Sequence, residues 1–198
     1  MGHVALWSLG GSGPVGGLEP EILGSPRPTA GPGGRRALAF DGAADALLLP
    51  VHPLAGVATF TVEIEFRPDA GGLAEQRFLH LQEADSDNRI LLETRLRGEE
   101  WFLDTFVLSG PAQQTLFAEG CRHRLGRWYC AAAVYDGVEL RHYVDGQLEL
   151  AGPLAYTPAR AGVTSVGVRC NRVCWFKGAI SRVRCTPAAL APPDLLRL

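Results

Sequence analysis

The sequence predicts an all-β fold, two antiparallel sheets stacked as a sandwich or jelly roll, and three observations predict it. Apolar and polar residues alternate with period two through much of the chain, as in pleated strands that turn one face to a core. Asp-Gly pairs at 136–137 and 145–146 separate β-rich runs, the strongest short-range signal for a hairpin. Glycine (24 residues) and proline (14) are plentiful, as many short strands joined by tight turns require.

Each element can be taken in chain order. The opening "MGHVALWSLGG" has no basic n-region and no apolar run of the length a secretory signal needs. The chain therefore reads as cytoplasmic as written, and as secreted if a signal has been removed. Residues 10–34, rich in glycine and proline, read as loop with one short strand near 21–23. In "TFTVEIEFRP" Phe60, Val62, Ile64 and Phe66 share one face, Thr61, Glu63, Glu65 and Arg67 the other, and Pro68 stops the run. "RFLHLQE" sets Leu79 and Leu81 against His80 and Gln82, and "RILLETRLRG" sets Ile90, Leu92, Thr94 and Leu96 against Leu91, Glu93, Arg95 and Arg97. "WFLDTFVL" and "RWYCAAAVYDG" follow, and the two Asp-Gly turns make a meander of the runs on either side of them. Residues 165–169 and 175–183 read as adjacent strands joined near Asn171. The tail "TPAALAPPDLLRL" holds only a short turn or helix, since Pro192 and Pro193 forbid a long one.

Size and charge narrow the function classes. One domain over residues 1–198 is the simplest account, and 198 residues bury enough surface to need neither metal nor disulfide. A formal net charge of −2 argues against partners held by bulk electrostatics, so nucleic acid and anionic membrane are not expected. No window approaches the roughly 18 apolar residues of a membrane span. Five cysteines leave at least one thiol without an intramolecular partner, which favours a reducing compartment.

Four phrases in order resemble one family. They are "ALAFDGAADALLLP" (37–50), "FTVEIEFRPD" (60–69), "GRWYCAAAVYDGVELRHYVDG" (126–146) and "WFKGAISRVRCTPAAL" (175–190). Together they resemble the concanavalin A-like lectin/glucanase superfamily, in particular its laminin-G-like jelly-roll domains. The resemblance implies a two-sheet jelly roll, and it leaves function open because that fold serves lectins, adhesion modules, hydrolases and lyases alike. Many members hold a structural calcium through an acidic residue after an opening Trp segment. Here "LWSLGGSG" places Leu9 and Gly10 there, so no cofactor is expected unless Asp41 or Asp45 rebuilds the site with backbone carbonyls.

The stretch "GVRCNRVCWFKGAISRVRC" (167–185) is rich in cysteine and arginine. Its cysteine spacings lack the matched pairs of a zinc site, and its basic residues fall on two faces without an aromatic ladder, unlike a nucleic-acid surface. Arg169, Asn171 and Trp175 form a set suited to a sugar: an indole face for C–H groups, with a planar cation and an amide for hydroxyls or a carboxylate. Glu63 and Glu65, on a polar strand face, are further ligand candidates. Ala131 and Ala133, flanked by Tyr129 and Tyr135, predict the floor and walls of a groove.

Three readings follow from different classes. The first is a carbohydrate- or glycan-binding module with a small polar ligand. The second is a stand-alone enzyme of the same fold, a lyase or glycoside hydrolase, with His80, Glu93, Arg95, Arg141 and Tyr143 meeting in one cavity to move a proton and neutralise charge. The third is a protein–protein module, which predicts an exposed apolar patch.

Overall fold

A computed structural model describes residues 3–11 and 13–198; residues 1 and 2 of the leader reading lie outside them. The strands are Ala5–Ser8 (β1), Glu21–Leu23 (β2), Arg27–Ala30 (β3), Arg36–Asp41 (β4), Ala46–Leu49 (β5), Phe60–Pro68 (β6), Glu75–Glu83 (β7) and Arg89–Arg97 (β8). They continue with Glu100–Ser109 (β9), Ala112–Phe117 (β10), His123–Arg124 (β11), Tyr129–Tyr135 (β12), Glu139–Val144 (β13), Gln147–Pro153 (β14), Gly162–Val166 (β15) and Lys177–Thr186 (β16). Two antiparallel sheets result. Sheet I runs β14-β13-β12-β6-β16-β4-β3, with β1 on the far stretch of β16, and sheet II runs β10-β9-β8-β7-β15-β5-β2, with β11 on β9. The predicted strand near 21–23 is present and the meander is β12-β13-β14, while β1 and β3 fall where no strand was expected.

The alternation in β6 explains the core. Phe60, Val62, Ile64 and Phe66 are all fully buried between the sheets. Phe66 stacks on Phe78 of sheet II with ring centroids 4.4 Å apart and meets Trp101 edge-on at 5.1 Å, offset and T-shaped contacts that add to plain burial. The opposite face of β6 is also covered. Glu65 takes a two-point contact from Arg35 and a third from Arg182, and Glu63 is held by Arg184 and by the backbone N–H of Leu196. Such pairing is what a buried carboxylate requires. The tail ends in a 3-10 turn, Pro192–Asp194, and Leu195 packs on Ala132, Val134 and Tyr143.

The link between β15 and β16 corrects the sequence reading. These strands do not form a hairpin; they lie in different sheets. At Gly167 the backbone takes φ +90 and sits so close to Phe40 that a Cβ would lie 2.7 Å from its ring. Only glycine fits that corner easily, and residues 167–176 then cross from sheet II to sheet I. All five cysteines are free thiols.

Candidate functional site

The outer face of sheet II carries the most concentrated chemistry. Register lines Arg77, Glu93, Asp104 and Phe117 across β7, β8, β9 and β10. The next row is Ser165, His80, Leu91, Phe106 and Thr115. Over it stands Arg169, from the crossing segment. Arg77, Arg89, Leu91, Glu93, Arg95, Asp104, Phe106, Thr115 and Arg169 enclose a cleft of about 240 Å³.

One end of the cleft is an interlocked charge lattice. Arg95 reaches Asp104 at 2.7 Å, Glu93 at 3.3 Å and Glu75, while Arg77 reaches Glu93 at 3.0 Å and Glu75 at 2.9 Å. Burial pushes the Glu93 carboxyl up to about 7, with Arg77 opposing the rise and Asp104 adding to it. Asp104 is also raised, again chiefly by burial, against its bond from Arg95. At the other end His80 is 1 % exposed. Burial first, and then the charges of Arg169, Arg89 and Arg77, drive its pKa down to about 3. Its Nδ1 accepts the backbone N–H of Cys170 at 2.9 Å, which fixes the proton of the neutral ring on Nε2.

Unmet hydrogen bonds gather here. Among the described residues nine buried side-chain nitrogen or oxygen atoms have no hydrogen-bond partner; His80 Nε2, Arg89 Nε and Asp104 Oδ1 are three of them, and a fourth, Arg77 Nε, is 3.0 Å from Glu93 in an ion pair. Buried polar groups in folded proteins are nearly all paired, so this concentration sets the cleft apart from the rest of the surface.

The structure brings together His80, Glu93, Arg95 and Arg169 of the sequence candidates and separates the rest. Arg141 lies on sheet I, paired with Asp136 and Glu139, and Tyr143 is buried under the tail, because β13 belongs to the opposite sheet from His80. Glu63 and Glu65 are fully buried and consumed by arginines. The groove over Ala131 and Ala133 is overturned: both are fully buried in the main core with Tyr129 and Tyr135, whose hydroxyls donate to Arg124 and Leu154 carbonyls. Asn171 is exposed at the loop tip and Trp175 half-buried; of that trio only Arg169 lines the cleft. Asp41 and Asp45 cap a turn through five backbone N–H bonds, and among the described residues no group of three His, Cys, Asp or Glu is placed to hold a metal ion.

Arg77, Arg89, Phe106 and Thr115 were missed. Alternation puts Arg77 on the face of Leu79, but a bulge between these two residues turns it to the side of His80. Arg89 carried a readable signal, since period two joins it to Leu91 and Glu93.

Comparison with known proteins agrees with the fold. A family model described as the concanavalin A-like lectin/glucanases superfamily matches residues 41–195. The chain belongs to the concanavalin A-like lectin/glucanase superfamily. No curated protein matches it by sequence. Among solved structures, this superfamily member is similar to domain 4 of AbnA, an extracellular arabinanase of Geobacillus stearothermophilus in complex with arabinotriose. The TM-score is 0.73 at 20% identity over 96% of this chain and 94% of that one. It is similar to the SAP-like pentraxin of Limulus polyphemus, with TM-score 0.62 and 16% identity over 79% and 77%. It also matches the binding domain of botulinum neurotoxin serotype G, with TM-score 0.70 and 9% identity over 96% of this chain but 48% of that one. Among the described residues no helix is long and apolar enough to cross a membrane.

Proposed function

We propose that this protein is a carbohydrate-binding jelly-roll domain and that its ligand lies in the cleft on the outer face of sheet II. The observation that carries the reading is the pairing of partnerless polar atoms, Arg89 Nε and Asp104 Oδ1, with an apolar strip of Leu91 and Phe106 in one cleft. A sugar offers the complement, with hydroxyls that donate and accept and C–H faces that pack on an apolar strip. The arabinotriose complex of the structurally similar arabinanase domain supports the ligand class. Isothermal titration against a panel of neutral and acidic oligosaccharides tests it. Binding to at least one class, lost on Leu91→Asp with the fold retained by circular dichroism, is expected; no heat with any saccharide refutes it.

A second reading, catalysis, is favoured by one specific observation. Glu93, held near neutral pKa, is a direct cross-strand neighbour of Asp104, and a poised acid beside a second carboxylate is the equipment of a glycosidase. Product release from the same oligosaccharides, abolished in Glu93→Gln, would establish it.

A further inference from the structure

The cleft divides into two electrostatic halves, and only one of them is balanced. In the lattice half, Arg77 and Arg95 are matched by Glu75, Glu93 and Asp104. In the other half, Arg89 and Arg169 have no carboxylate within ion-pair distance among the described residues. Arg89 gives one NH group to the backbone carbonyl of Asp87, its guanidinium lies 4.9 Å from the Phe106 ring centroid, and its Nε is buried without a partner. Arg169 places its side chain at the cleft with no side-chain hydrogen bond among the described residues. Burial first and then the charge of Arg169 lower the Arg89 pKa, against the opposing effects of Asp87 and Glu93. His80 lies beneath this half, a cross-strand neighbour of Leu91, with Nδ1 engaged by the backbone of Cys170.

Two guanidiniums without a direct ion pair, lining one space, favour an acceptor that carries negative charge. Guanidinium recognises planar or tetrahedral oxyanions through paired N–H groups. A ligand hydroxyl would meet the hydrogen bonds but leave both charges unopposed in a partly dry site, where their repulsion is weakly screened.

We infer that the cleft is specific for an acidic saccharide, whose anionic substituent, a carboxylate or a sulfate ester, sits between Arg89 and Arg169. This rests on the reading of the cleft as a carbohydrate site and adds the charge of its ligand. The lattice half is then left for neutral hydroxyls, because its own carboxylates, Glu93 and Asp104, repel a second anion.

Titration calorimetry at fixed ionic strength decides the matter with four probes: tri-galacturonate, its methyl ester, a sulfated disaccharide and neutral arabinotriose. The expected result is at least tenfold tighter binding of tri-galacturonate or the sulfated sugar than of the ester and arabinotriose. Arg169→Gln and Arg89→Gln should each remove that preference, bringing the charged probes to the affinity of their neutral counterparts for the same variant. Which charged probe binds tighter distinguishes carboxylate from sulfate. Equal affinity for charged and neutral probes, or a preference that survives both variants, overturns the inference and leaves carbohydrate binding standing. No binding of any probe overturns both. Melting curves of the two variants check that they fold; Arg169, half-exposed on a loop, can be replaced without disturbing the core.

Discussion

Acidification should destabilise this protein steeply, and Glu93→Gln should make the dependence steeper. His52, His80 and His142 are buried and neutral: burial lowers their pKa from 6.5 to about 4, about 3 and about 4. Unfolded, each titrates near 6.5. As pH falls through 6.5, the unfolded chain takes up protons that the folded chain refuses, and stability is lost down to the folded pKa values. Glu93 works the other way. Its carboxyl rises from 4.5 to about 7 on folding, so between those values the folded chain holds a proton that the unfolded chain releases, and this contribution is lost as pH rises. Near pH 5.5 the unfolded state binds about three more protons on histidine and about one fewer on Glu93, a net of about two, or about 3 kcal/mol per pH unit. The slope is shallower near pH 7, so acidification from pH 7 to 5 removes about 3 kcal/mol in all, a large share of the stability of a modest domain. Without the Glu93 contribution the excess is about three protons, or about 4 kcal/mol per pH unit. Urea unfolding followed by tryptophan fluorescence at several pH values from 7 to 5 measures both slopes. The reasoning is refuted if the native slope is below about 1 kcal/mol per pH unit, or if the variant's slope is parallel to it.

Two further outcomes follow from the core and the thiols. Phe66→Ala removes the ring that joins Phe78, Trp101 and Phe176 and should cost about 3 to 5 kcal/mol in urea unfolding. Burial raises the thiol pKa of Cys130, to about 12, and of Cys185, so a thiol reagent should label at most Cys121, Cys170 and Cys174 of the native protein and all five after denaturation.

The strands were legible because one-sided burial imposes period two, as the β6 residues from Phe60 to Phe66 demonstrate. The Asp145-Gly146 turn was legible because both residues adopt positive φ, which few other pairs tolerate. What alternation cannot give is which sheet a strand joins. That is why Arg141 was grouped with His80, although β13 and β7 lie in opposite sheets, and why residues 165–183 looked like a hairpin. Nor does it separate an outer face that meets solvent from one covered by the tail, so Glu63 and Glu65 looked available while arginines already held them. At the cleft, a bulged strand hid Arg77, whereas Glu93 and Arg95 followed the regular period and were found.

The late strand β16 occupies the middle of sheet I, hydrogen-bonded to β6 on one side and to β4 and β1 on the other. During synthesis, therefore, all of the polypeptide before residue 177 must wait with a gap in one layer, its β6 and β4 edges open to any passing strand. Such edges invite misassembly. A message cut short before residue 177 yields a product with that gap permanently unfilled, destined for aggregation or degradation rather than for a smaller working version of the protein.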